Sequence, residues 1–196
     1  MNDTSGAHPR LRDMRVETLS AQWGRLTRTS FDYRHRDGVW RRLVRESYGR
    51  GDGATVLPCD PARGMVILIR QFRLPALREG ADGFIWEAPA GLLDEADPAA
   101  RVAMEAEEET GFRVRDLVKV CEAYSSPGSF LEKMHYFIGR YGAQDRIGSG
   151  GGLAEGEDIE VVERRFARAY AMIGAGEIVD AKTIILLQHA KLTVFA

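Results

Sequence analysis

Residues 91–112 read GLLDEADPAARVAMEAEEETGF, and the second half of this stretch spells a helix with a marked start and stop. Asp97 is an N-cap residue, and Pro98 falls on the first helical position, where the N–H that proline lacks is not needed. Gly111 follows the last turn as the C-cap. Glu105 and Glu109 stand four residues apart and Glu108 three from Glu105, a spacing that predicts three carboxylates on one helix face. Like charges at that spacing destabilise a helix unless something neutralises them. Two readings stand side by side: a solvated acidic face, or a site for a hard divalent cation such as Mg2+ or Mn2+, which takes oxygen ligands.

Upstream, FIWEAPAG leads straight into this stretch. Before it, MVILIRQFR (Met65–Arg73) is a near-continuous apolar run, the pattern of a central strand covered on both faces, and Arg70 and Arg73 lie towards its end. Residues 49–53 are glycine-rich without the spacing of a phosphate-cradling loop, and read as a turn. From Met14 to Tyr48 two strand-like runs, LTRTSFDYRHR and VWRRLVRESY, meet at Asp37-Gly38, a strong hairpin signal because such tight turns need positive φ. The arginines along this arm suit either edge protection or phosphate binding. The expected organisation is a disordered tail over 1–11, a β arm over 12–50 and the main domain over 51–196.

Downstream, Val114–Tyr124 and Lys133–Tyr141 read as strands separated by SSPGSFLE, which ends at Glu132. Residues 148–157, GSGGGLAEGE, are predicted to be a flexible loop whose glycines stabilise nothing. Glu155, Glu157 and Asp158 at its end are either a mobile catalytic element or a solvated linker. IEVVERRF is a strand running into the helix FARAYAMIGAG, and Lys182–Phe195 is a final, mostly apolar helix.

The chain has 196 residues, enough to bury a real core, and a formal charge of −2, which gives no reason to expect nucleic acid or a membrane surface as partner. Cys59 and Cys121 form no metal-type cluster, and a reduced cytoplasmic setting is the expectation. The N-terminus lacks signal-peptide regions and no apolar run reaches membrane-spanning length. The four histidines, at 8, 35, 135 and 189, have no ligand spacing, and no Ser-His-Asp or Cys-His arrangement can be argued.

The stretch from Gly91 resembles the Nudix box, G-x5-E-x7-R-E-U-x-E-E-x-G-U with U apolar. The chain supplies Gly91, Asp97 in place of the first Glu, Glu105, Ala106, Glu108, Glu109, Gly111 and Phe112. It departs twice: the segment after Asp97 is one residue short, and Met104 stands where the box has Arg. Arg101, four residues before Glu105, either pairs with Glu105 in that arginine's stead or is an ordinary exposed helical residue. Beyond the box, RESYGRGDGAT, VILIRQFR, AGLLD, SSPG, GGGLAEGEDIEV and GEIVDAKTIILL make the chain similar to bacterial GDP-mannose pyrophosphatases among the Nudix hydrolases. The likeness to ADP-ribose pyrophosphatases is looser.

The resemblance implies an α/β fold, the Nudix α/β/α sandwich, with an N-terminal antiparallel β arm exchanged between the subunits of a homodimer. It implies metal held by the Ala90 carbonyl, Glu105, Glu109 and Glu157, with Glu155 a rival for the loop carboxylate. It places substrate on Arg45, Glu46, Arg73, Gly91, Leu92, Glu132 and Lys182, and catalysis on Glu105, Glu108 and Glu157. Metal ions clamp phosphates and lower the pKa of water, positioning and electrostatics supply most of the remaining catalysis, and a loop carboxylate would orient or deprotonate the water. The expected activity is Mg2+-dependent hydrolysis of a nucleoside diphosphate sugar to a monophosphate and a sugar 1-phosphate, with GDP-mannose first and ADP-ribose or another ADP-sugar second. The rival is a non-catalytic Nudix-fold sensor of a nucleotide sugar; the carboxylate trio speaks against it and the missing box Arg for it.

Overall fold

The computed structural model describes residues 8–94, 96–152 and 158–196. They belong to two units, one running to Gly51 and taking in Ser126–Glu132, the other formed by Asp52–Ser125 and Lys133–Ala196.

The first unit is an antiparallel meander of β1 (Leu11–Ala21), β2 (Arg25–Arg34) and β3 (Trp40–Gly49). The β2–β3 turn forms at Asp37-Gly38 as its residues dictate: Gly38 has φ of +82°, and Asp37 accepts the Val39 N–H at 2.9 Å. Contrary to a disordered tail reaching residue 11, Leu11 already pairs with Tyr33, and the Arg10 Nε–H donates to the Arg34 carbonyl at 2.7 Å. β1 escapes a period-two reading because its register shifts twice, between Arg12 and Arg15 and between Thr18 and Ser20. Segment 126–132 joins through Tyr48, whose N–H donates to Ser129 and whose carbonyl accepts from Leu131. Phe130 packs edge-on against the Tyr48 ring at 5.9 Å. Thr27 is the one buried residue among the described residues of this unit.

The second unit is a mixed seven-stranded sheet between helical layers. Its strands are β4 (Gly53–Asp60), β5 (Met65–Arg78), β6 (Ala81–Glu87), β7 (Ala90–Leu92), β8 (Arg115–Tyr124), β9 (Lys133–Arg140) and β10 (Ile159–Arg165). They run in the order β10-β5-β4-β9-β8, with β6 on β5 and β7 on β4. Helix α1 (Pro98–Thr110) covers one face through Val102 and Ala106 against Ala54, Val56 and Phe137. Helices α2 (Phe166–Gly174) and α3 (Ala181–Thr193) cover the other, where Ala169, Met172, Leu186 and Leu187 meet Leu57, Leu68 and Ile138. This is the expected α/β/α sandwich.

At the centre lies β4, buried at every position, a strand the sequence conceals because Pro58 has no N–H to give a central ladder. The register removes the conflict. On one edge β4 pairs with β9 from Gly53 to Cys59; on the other it passes from β7, at Gly53–Thr55, to β5, at Cys59–Asp60. Val56 donates its N–H to Pro89 on that second edge, so the nitrogen of Pro58, two residues on, faces the gap between the two partners.

The glycine run after residue 147 also differs from expectation. Ile147 and Gly148 donate to the Gly111 carbonyl, and Gly151 donates to the Glu109 carbonyl at 2.8 Å, so these residues cap the C-terminal end of α1. Gly150 has φ of +69°, and a Cβ there would stand 2.5 Å from the Thr110 carbonyl carbon and 2.6 Å from the Glu109 oxygen, all backbone. Gly150→Ala is therefore expected to cost about 2 kcal/mol from overpacking and left-handed backbone combined, measured by urea unfolding. An unchanged midpoint would contradict this close approach.

Candidate active site

Helix α1 has the predicted caps. Asp97 accepts from the N–H groups of Ala99 and Ala100, Pro98 opens the first turn, and Gly111 takes φ of +72° with its N–H on Glu107. The carboxylates are not placed alike. Glu105 and Glu109, 40° apart around the axis at 100° per residue, are buried at 7% and 4% exposure, whereas Glu108 turns to solvent. The shared face thus holds two inward carboxylates and one at its edge, a correction to the expected trio.

Strand β7 meets this pair. The Ala90 N–H donates to Glu109 Oε2 at 3.0 Å. In the ladder Thr55 and Ala90 oppose each other between the bonds Val56→Pro89 and Leu93→Asp52, so neither Ala90 backbone group points at β4. Its carbonyl lies on the same side as the N–H that meets Glu109. Gly91 follows because nothing larger fits: a Cβ there would lie 2.0 Å from Glu105 Oε1.

Of the two readings its position allows, Arg101 takes the first and pairs with Glu105. Its Nη2 stands 2.6 Å from Glu105 Oε1, and its Nε–H donates to the Leu92 carbonyl at 3.1 Å, while Met104 points to solvent at 53% exposure. One guanidinium thus fixes the Glu105 carboxylate and joins the helix to β7. Arg101→Ala is expected to lower divalent-metal affinity about tenfold, as loss of an outer-shell partner does. Titration calorimetry with Mn2+ measures it, and unchanged affinity would show that Glu105 needs no such tether.

Two buried carboxylates one turn apart, with a strand carbonyl beside them, are an all-oxygen donor set of the kind that hard divalent cations take. Among the described residues no three His, Cys, Asp or Glu side chains converge in a metal-type group. Glu155 and Glu157, the predicted loop carboxylates, lie outside the described residues.

Arg73 and Lys182 converge on Glu87, a buried residue that sequence reasoning passed over. The Arg73 Nε and Nη2 donate to its two oxygens at 2.8 and 3.0 Å, and Lys182 Nζ donates to Glu87 Oε2 at 2.8 Å and Asp180 Oδ1 at 2.9 Å. Burial pushes the Glu87 carboxyl up, yet the hydrogen bonds and charges of Arg73 and Lys182 outweigh it and hold its pKa below the usual glutamate value. Burial lowers Lys182, and its two carboxylates outweigh that and raise it. The only signal for Glu87 was its place in FIWEAPAG, three residues ahead of Ala90.

Arg45, Glu46 and Glu132 belong to the first unit. Arg45 and Glu46 are neighbours on β3 and so face opposite sides of the sheet. Glu46 accepts from Arg28 Nε and Nη2 across the strand pair, Arg45 Nη1 donates to the Val44 carbonyl, and Glu132 is half-buried.

A mixed sheet between helical layers, with a capped helix turning two carboxylates inward beside a glycine-bearing strand, is the arrangement expected of a Nudix hydrolase. The NUDIX domain family matches residues 49–163, the larger part of the chain, and the chain belongs to that family. The GDP-mannose pyrophosphatase NudK N-terminal domain matches residues 10–48. The chain is 47% identical to a GDP-mannose pyrophosphatase of Pectobacterium atrosepticum over 88% of its own length and 89% of the relative's. It is 42% identical to one of Yersinia enterocolitica over 93% and 96%. A crystal structure of an ADP compounds hydrolase shares the fold, with a TM-score of 0.71, 19% identity and 95% coverage of both chains.

Proposed function

We propose that this Nudix hydrolase splits the pyrophosphate bond of GDP-mannose, water adding across it to leave GMP and mannose 1-phosphate. The observation that carries the reading is the inward Glu105–Glu109 pair beside the Ala90 backbone, and the names of the relatives above supply the substrate. Mg2+, with Mn2+ as substitute, would be held by Glu105, Glu109, the Ala90 carbonyl and the loop carboxylate Glu157. When bound, the cation neutralises charge on the diphosphate and makes water more acidic. The residues of this chain then do the rest. Arg101 keeps Glu105 in place, the Gly91–Leu92 backbone would lie against substrate, and Arg73 would supply positive charge against phosphate with Lys182 completing the ion cluster behind it. Glu108 and Glu157 would orient and deprotonate the attacking water.

The same reading includes a homodimer in which Arg45, Glu46 and Glu132 act in nucleotide-sugar recognition, the two arm residues serving a second subunit. A three-stranded sheet with Thr27 alone buried, and with Val16, Leu19, Trp23 and Val44 exposed, needs something to pack on. Acceptor-only carboxylates suit guanine's N1–H and amino donors, which adenine does not offer in that pattern.

Comparing kcat/KM for GDP-mannose and ADP-ribose with Mg2+ tests the substrate directly. A preference for GDP-mannose of at least about a hundredfold is expected, because a site left with an unpaired acceptor rejects the wrong base strongly. A preference for ADP-ribose would replace the guanine assignment and leave the pyrophosphatase standing. No turnover of either would favour a binding module.

A further inference from the structure

Glu87 closes β6 with a carboxylate only 1% exposed, gripped by cations from two other elements, Arg73 on β5 and Lys182 on α3. Burying a carboxylate is unfavourable unless it is paired and hydrogen-bonded. Here the pairing does more than balance charge. The two-pronged Arg73 contact fixes the plane of the guanidinium, whose side chain remains 40% exposed, whereas Lys182 is 17% exposed and committed to Glu87 and Asp180.

The clamp is also registered to the carboxylate pair. Thr183 Oγ1 donates to Asp180 Oδ2 at 2.6 Å and accepts the Ala88 N–H at 2.7 Å, so the residue after Glu87 is tied to the same turn of α3. Pro89 accepts from Val56 N–H and Thr55 Oγ1, and Ala90 donates to Glu109. Residues 87–90 thus join the cation clamp to the Glu105–Glu109 pair through one segment, in which the Cα atoms of Glu87 and Ala90 are at most about 10 Å apart.

We infer that Glu87 is a positioning residue for substrate: it aims Arg73 at the diphosphate while the Glu105–Glu109 pair, one short segment away, serves the reacting end. This rests on the pyrophosphatase reading above. It also predicts a sign. Were Glu87 only a counter-charge, removing its negative charge would leave the site more positive and tighten anion binding; a lost aim for Arg73 weakens it.

Glu87→Gln is therefore expected to raise KM for GDP-mannose at least tenfold, with kcat changed less and with Mn2+ affinity, titrated without substrate, within twofold of wild type. A lower or unchanged KM in a folded variant would overturn the inference. If the single variant does not fold, Glu87→Gln combined with Lys182→Met removes one charge of each sign and is compared with Lys182→Met alone. A further tenfold rise in KM is expected in the pair, and equal values would overturn the role of Glu87. Wild-type protein that turns over no nucleoside diphosphate sugar would remove the functional reading and this inference together. An active wild type whose KM is indifferent to Glu87 would remove the inference alone.

Discussion

Glu109→Gln is expected to lower kcat by at least about a hundredfold, the upper end of what losing even an outer-shell partner costs a metal site. It should do so without unfolding the protein. The amide oxygen can still accept the Ala90 N–H that now reaches Glu109 Oε2 at 3.0 Å, and shape is nearly conserved. Glu105 and Glu109 are both buried within one turn, and Arg101 pairs with Glu105, so neutralising Glu109 relieves repulsion within the pair. The metal-free melting temperature should therefore hold or rise slightly. Saturating Mn2+ should raise the melting temperature of the wild type, since a ligand of the native state stabilises it, and leave that of the variant nearly unmoved. Turnover close to wild type at ordinary Mg2+ would refute the assignment of Glu109 as a metal ligand.

Gly91→Ala reaches the other carboxylate through sterics alone. The added methyl would lie 2.0 Å from Glu105 Oε1 and 2.1 Å from its Cδ, where no carbon can stand. What it meets is the end of a side chain and not backbone, so the strand need not move; the carboxylate must, and breaks its 2.6 Å contact with Arg101 as it goes. The expected result is a loss of about a hundredfold in kcat/KM with a stability cost of about 1–3 kcal/mol, the range for overpacking. Kinetics beside urea unfolding of the same sample separate the two effects. Full activity would mean that Glu105 has room to shift without consequence, and its position would then not matter to the reaction.

What residues 91–112 determine by themselves is local. Asp97, Pro98 and Gly111 mark the ends of α1 because caps act within one turn of the chain, and the four-residue spacing of Glu105 and Glu109 puts them together in any helix. The Asp37-Gly38 turn is legible for the same reason. Which carboxylates turn inward is not local: Glu108 differs from its neighbours only in facing away from the sheet that Val102 and Ala106 pack against. Strand β4 was hidden because Pro58 is acceptable only where one edge passes from β7 to β5, a fact of sheet topology. The glycines after residue 147 look idle in sequence and become obligatory once Gly150 lies against the end of α1. Arg73, Glu87 and Lys182 are far apart in the chain, and only the approach of β5, β6 and α3 makes them one buried ion cluster. Local stereochemistry thus specified the helix and its acids, whereas long-range packing decided which charges are buried and what each one holds.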